Sequence, residues 1–200
     1  MRGADTGPTC HELLIRLAGR LPDELLWRLR DWLAAGAGST LAVMLPRELL
    51  RHRVGLTDDE RELLTTAASG WGAPHRLLDA VLSAHDQDVT VPEFRTGPEW
   101  PDLAASSVLS VVRGHPGCTE LRQAWRVHGR REQRVVLVLG AERPWELAAT
   151  LARLLRVHGD PTPCVEVLPA TGEPPAYHQA AIVASASLWR SATVLAGVAA

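Results

Sequence analysis

The run Val135–Leu139, VVLVL, sets the strongest limit on what this chain can become. Successive side chains in a strand point to opposite faces, so a strand with this composition is apolar on both and belongs in the middle of a sheet. Upstream, Leu121, Gln123, Trp125 and Val127 alternate with Arg122, Ala124, Arg126 and His128, the period of two of a half-buried strand. The GRREQ stretch between the two, Gly129 to Gln133, reads as a hairpin loop. In this pattern Trp125 points inward, and the arginines form a one-sided exposed face.

The remaining periodicities are mostly helical. Thr9 and Glu12 have capping-box spacing before Leu13, Leu14 and Leu17, so the first helix should start there, after eight frayed residues. Pro22 suits the first turn of a helix carrying Leu25, Leu26, Leu29, Trp32 and Leu33, with Glu24 and Arg28 paired on the wet side. Pro46 divides the next apolar run and would open a short helix with Leu49 and Leu50. A second capping box, Thr57 with Glu60, starts a helix with Leu63, Leu64 and Ala67 on one side; another should bury Leu77, Leu78, Val81 and Leu82.

After residue 88 the character changes. Residues 88–101 contain three prolines, and 89–100 read as a linker or an edge strand interrupted by Pro92. A helix with Leu103, Val108 and Val111 or Val112 inward precedes the hairpin. Pro144 and Gly159 bound another after it, with Leu147, Leu151, Leu154 and Leu155 inward. Residues Cys164 to Leu168 form a third strand, and the stretch from Pro175 to Arg190 a closing helix. The expected fold class is α+β. A helical bundle over 1–88 precedes a small α+β domain over 101–190 with helices on one face of the sheet, and 191–200 form a frayed tail.

The stretch HPGCTELRQAWRVHGRREQRVVLVLGAERPWELAATLARLLRVHGDPTPCVEVLP, His115 to Pro169, resembles the C-terminal domain of the enhanced serine sensitivity (SseB) family. The shared pattern is a strand after a Pro-rich turn, a hairpin, a long helix and a strand ending in VEVLP. The resemblance implies an accessory or interaction domain and brings no catalytic residue with it. The helical first half has no counterpart there.

Composition narrows the function. All 21 basic residues are Arg, a bias that points to a high-GC bacterial genome. A net charge of −2 argues against a surface built as a whole for nucleic acid. Residues 1–88 carry −3 and the remainder +1, too even a division to name a partner. Three widely spaced cysteines, Cys10, Cys118 and Cys164, read as reduced thiols. No secretory signal or run of about 20 apolar residues occurs, so a cytoplasmic protein without membrane attachment is expected.

The candidate binding residues are Arg122, Arg126, His128, Arg130, Arg131 and Arg134. Between Leu121 and Arg134 five arginines stand against one glutamate, a local charge of +4. With Trp125 on the opposite face they lack a stacking aromatic, so a solvated face or an acidic partner fits better than nucleic acid. GLTDDEREL resembles the opening of LuxR-type helix-turn-helix domains, but the helix after it offers only Arg76 and His75, opposed by Asp79 and Asp86. His115 and Cys118 have half of a zinc spacing without a second pair, and His11 lacks the second histidine of a zincin helix. Cys164 would complete such a site only if the fold brought it close. Neither G-x-S-x-G, a P-loop nor G-x-G-x-x-G is present.

The expectation is therefore a non-catalytic interaction or regulatory protein whose partner is another protein, with no cofactor and no metal. A nucleic-acid-associated regulator using the Arg-rich hairpin is the alternative. An enzyme whose groups converge only in three dimensions is the third. The small residues Ala180, Ala181, Ala184, Ser185 and Ser187 suit close packing on the sheet or against a second copy of the chain.

Overall fold

The computed structural model describes residues 6–84, 91–97 and 102–192. The chain forms two compact units, Met1–Thr90 and Val91–Ala200. Expectations for parts of the linker, at 85–90 and 98–101, and for the tail at 193–200 lie outside the described residues. The fold is α+β.

The first unit is helical: α1 (Gly7–Arg16), α2 (Asp23–Ala34), α3 (Gly38–Arg51), α4 (Asp58–Gly70) and the short α5 (His75–Asp79). Helix α1 packs on both α4 and α2, and α2 packs on α3. Leu13, Leu14, Leu17, Leu26, Leu29, Leu41, Leu45, Leu49 and Leu64 are all but inaccessible and make the core. The Glu24–Arg28 pair is present at 2.9 Å.

Three boundaries differ from expectation. Helix α1 begins at Gly7, with Pro8 in its first turn and Cys10 N–H donating to the Thr6 carbonyl at 3.0 Å, so Thr9 lies inside the helix and caps nothing. Pro46 sits within α3 instead of opening a helix. It has no N–H to donate, but Leu41, Leu45 and Leu49 form one buried stripe across it, and that burial outweighs the missing bond. Helix α5 stops at Asp79 because the chain beyond it is drawn against Leu56, whose N–H donates to Leu82 O at 2.8 Å and whose carbonyl accepts from Ala84 at 2.9 Å. Leu82 consequently faces solvent.

The Thr57 capping box forms with both bonds: Glu60 N–H donates to Thr57 Oγ1 at 3.3 Å, and Thr57 N–H to Glu60 Oε2 at 3.1 Å. Glu60 is buried and also pairs with Arg20, which donates to the Gly55 carbonyl as well. One carboxylate thus ties the α1–α2 connection to the start of α4.

The second unit runs β1 (Glu93–Arg95), α6 (Leu103–Gly114), β2 (Glu120–His128), β3 (Arg131–Leu139), α7 (Pro144–Val157), β4 (Cys164–Leu168), α8 (Ala176–Val183) and β5 (Ala186–Arg190). The sheet order is β1-β2-β3-β4, with β5 also paired to β2. Strand β3 is central, antiparallel to β2 and parallel to β4, and Val135–Val138 are buried. The outer edge of β2 is shared end to end: β5 covers Glu120–Gln123 and β1 covers Trp125–Val127. The hairpin loop is shorter than the expected five residues. His128 pairs with Arg131, leaving Gly129 and Arg130 as the turn. Gly129 has φ +60°, which a two-residue hairpin turn of this kind asks of its first central residue.

The closing segment is not one helix. Helix α8 ends at Val183, and the Arg122 guanidinium donates to the carbonyls of Ile182 at 3.4 Å and Ser185 at 3.2 Å, satisfying backbone acceptors at the helix C-terminus. The chain then turns into β5. The sheet is also covered on both faces rather than one. Helix α8 lies over Arg122, Arg126 and Glu166, while the N-terminus of α6, which packs on α7, meets Arg134 on the other face. Leu103, expected inward, is 73% exposed, whereas Val108 and Val112 are buried.

Replacing Glu60 with Ala removes a capping bond and leaves Arg20 without its carboxylate. Chemical denaturation should show a loss of about 2–3 kcal/mol, against about 1 kcal/mol for Thr57→Ala.

Candidate functional site

The structure sorts the six basic candidates into three groups. Arg122 and Arg126 lie under α8. Arg122 donates from Nε to Ser185 Oγ at 2.6 Å and pairs with Glu120. Arg126 donates from Nη1 to the Tyr177 hydroxyl at 3.1 Å. Neither belongs to an exposed face, which corrects the expectation of one. His128, Arg130 and Arg131 are exposed at the tip of the hairpin, and among the described residues neither the Arg130 nor the Arg131 side chain has a hydrogen-bond or ion-pair partner.

Arg134 lies on the opposite face from Arg122 and Arg126. Its guanidinium carbon is 5.3 Å from the centre of the Trp125 ring, so an arginine and the aromatic do share a face, contrary to expectation. Trp125 itself is half-buried. The chain after β1 crosses its indole edge at Gly97, where a Cβ would lie 1.8 Å from Nε1, so only glycine allows this approach.

Trp125 and Arg134 help line a cleft of about 330 Å³, together with Asp102, Glu132, His158 and Asp160. The carboxylates are already engaged. Asp102 accepts from Arg134 and caps α6 through the Ala105 N–H at 2.8 Å. Glu132 pairs with Arg95. Asp160 accepts from Thr162 N–H at 3.0 Å and Gln133 Nε2 at 3.3 Å. The Arg134 hydrogen bond, working against burial, holds the Asp102 carboxyl below its ordinary range. A carboxyl that titrates lower when folded stabilises the fold above the unfolded value of about 3.9, and that contribution is lost as pH falls through the folded value. Leu103, between the lining residues Asp102 and Ala104, and Val157, next to His158, are 73% and 83% exposed. The cleft therefore has an aromatic wall, and two arginines without an ion-pair partner, Arg130 and Arg131, immediately precede its lining residue Glu132 in the chain.

A second polar cluster, overlooked in the sequence, lies under α8. Glu166 and His178 are each 0% exposed, and His178 Nε2 is 3.0 Å from Glu166 Oε2. The Cys164 thiol donates to Glu166 Oε1 at 3.8 Å, and the Tyr177 hydroxyl is 3.7 Å from Cys164 Sγ. A donor sequence thus runs from Arg126 through Tyr177 and Cys164 to Glu166. Burial, and after it the proximity of Cys164 and Glu166, raise the Tyr177 pKa and keep its hydroxyl protonated. The cluster is sealed from solvent, so its chemical effect is to fasten α8 to β4 and β2. A glutamate at the centre of an otherwise apolar strand was the available signal, since such a residue has to find a partner in the layer above.

Two of the thiols, Cys10 and Cys118, are poor nucleophiles where they stand. Burial pushes Cys10 up to about 12 and Cys118 up to about 11. Cys118 Sγ lies 3.8 Å from His115 Nδ1 across their turn, whereas Cys164 belongs to the Glu166 cluster. No group of three His, Cys, Asp or Glu side chains able to hold a metal occurs among the described residues. No helix among them is long and apolar enough to cross a membrane.

Removing one member of the buried pair strands the other. Unfolding measurements on His178→Ala should show a loss of about 3–5 kcal/mol, and the double replacement Glu166→Leu, His178→Leu should recover much of it. Comparison with protein-family models, curated proteins and solved structures gives no match.

Proposed function

We propose that the second unit is a non-catalytic docking module that holds an acidic segment of another protein at the hairpin end of its sheet. The observation that carries this reading is the division of labour among the arginines. Arg122, Arg126 and Arg134 are spent on internal partners, while Arg130 and Arg131 stand exposed without one. Two unneutralised arginines at the hairpin tip, one residue or two before Glu132 of a cleft with an aromatic wall, match a partner bearing carboxylates around an apolar residue. Leu155 adds an apolar side chain to the lining of the same cleft.

The cleft is large enough for a small substrate, but its carboxylates are committed to Arg134, Arg95 and Gln133, and among the described residues its lining holds no Ser, Thr, Cys or Lys to act as nucleophile. Binding uses these groups as they stand. Nucleic acid fits less well, because Arg134 already covers the Trp125 ring and leaves it less available to a base. The resemblance of His115–Pro169 to an accessory domain points the same way. Free cysteines accord with work in the reducing cytoplasm.

The test is fluorescence anisotropy with a labelled, end-blocked peptide, Glu-Glu-Leu-Glu-Glu-Glu, at low salt. Binding should weaken as salt rises, and the double variant Arg130→Glu, Arg131→Glu should lose at least about tenfold in affinity. An unchanged affinity in that variant, or tighter binding of a single-stranded oligonucleotide than of the peptide, contradicts the reading.

A further inference from the structure

Among the hairpin arginines, Arg134 alone lines the cleft and lies against Trp125. Its two terminal nitrogens meet the two carboxylate oxygens of Asp102, Nη1 to Oδ1 at 3.2 Å and Nη2 to Oδ2. This is the two-pronged fork by which a guanidinium recognises any free carboxylate. The partners are unequal in burial. The Arg134 side chain is 13% exposed and fixed over the indole, whereas that of Asp102 is 53% exposed. Asp102 also has a second role that does not need Arg134, because Oδ1 accepts the Ala105 N–H at the start of α6. His158 lies close enough to act on its charge as well.

We propose that Asp102 is an internal stand-in for the partner's acidic side chain: it occupies Arg134 in the free protein and yields it when a carboxylate enters the cleft. This inference rests on the docking reading above. Exchange of one carboxylate for another conserves the fork, so entry leaves the largely buried Arg134 paired and transfers to water only the half-exposed Asp102. Asp102, once displaced, keeps its cap and turns to water. The Arg134 guanidinium remains over Trp125 throughout, already positioned to receive the ligand. Arg130 and Arg131 add attraction for the incoming segment that the internal aspartate does not share.

The experiment uses the same labelled Glu-Glu-Leu-Glu-Glu-Glu peptide and the full chain. Asp102→Asn removes the charge but keeps a side chain that caps a helix as well as aspartate does, so its melting midpoint should fall only by the few degrees that one screened ion pair is worth. The variant should bind about two- to fivefold more tightly, the worth of releasing one screened ion pair. Arg134→Gln should bind at least about fivefold more weakly. In the wild type, the Arg134 Nε–H resonance should shift as peptide is added, a readout that does not depend on any variant folding. Equal or weaker binding by a folded Asp102→Asn, or an Arg134 resonance unmoved at saturation, overturns the inference. If the Arg130→Glu, Arg131→Glu variant loses binding while the Asp102 and Arg134 variants bind like the wild type, the docking reading stands and this inference falls. If neither the wild type nor Asp102→Asn binds, both fall together.

Discussion

A strand that is apolar on both faces has to be covered twice, and β3 imposes that demand on the whole second unit. Helices α6 and α7 belong to one cover. The other is α8, an eight-residue helix too short to be stable without tertiary contacts. It is held there by the inaccessible pair of Glu166 and His178 and by the two arginines of β2 that reach it. Such a pair contributes little net stability compared with apolar packing, but breaking half of it is expensive. Its effect is therefore to specify which segment lies over β4 and in what register.

That second cover decides what the basic hairpin can do. Alternation along β2 assigns Arg122 and Arg126 to one face, and α8 then consumes both. Pairing across the hairpin puts Arg134 on the other face with Trp125, where Asp102 meets it. The Arg130 and Arg131 side chains, at the turn and the first residue of β3, stand exposed in water. A local charge of +4 in the sequence becomes two available guanidinium groups in the fold. In the docking reading we propose, the selectivity that follows is modest and salt-sensitive.

The sequence disclosed its periodicities and concealed its pairings. The central strand, the hairpin, α7 and the Thr57 cap were legible because each rests on local patterning that tertiary contacts reinforce. Helix ends were misread where distant contacts decided them: Leu56 recruits the chain after α5, and Arg122 helps to close α8 ahead of β5. The exposed arginine face was misjudged because strand alternation separates the two faces without showing which of them another element will cover. Glu166 was passed over inside CVEVL, although a lone carboxylate in a buried strand is itself a demand for a partner. His178, in a short helix read only for its small residues, gave no comparable signal.

The sorting of the hairpin arginines is the centre of this account, and covalent labelling measures it directly. Phenylglyoxal modification followed by peptide mass spectrometry reports the accessibility of each guanidinium in the folded chain. The account predicts rapid modification of Arg130 and Arg131 and slow modification of Arg122, Arg126 and Arg134. Comparable rates at all five positions, with the chain still folded, would contradict it.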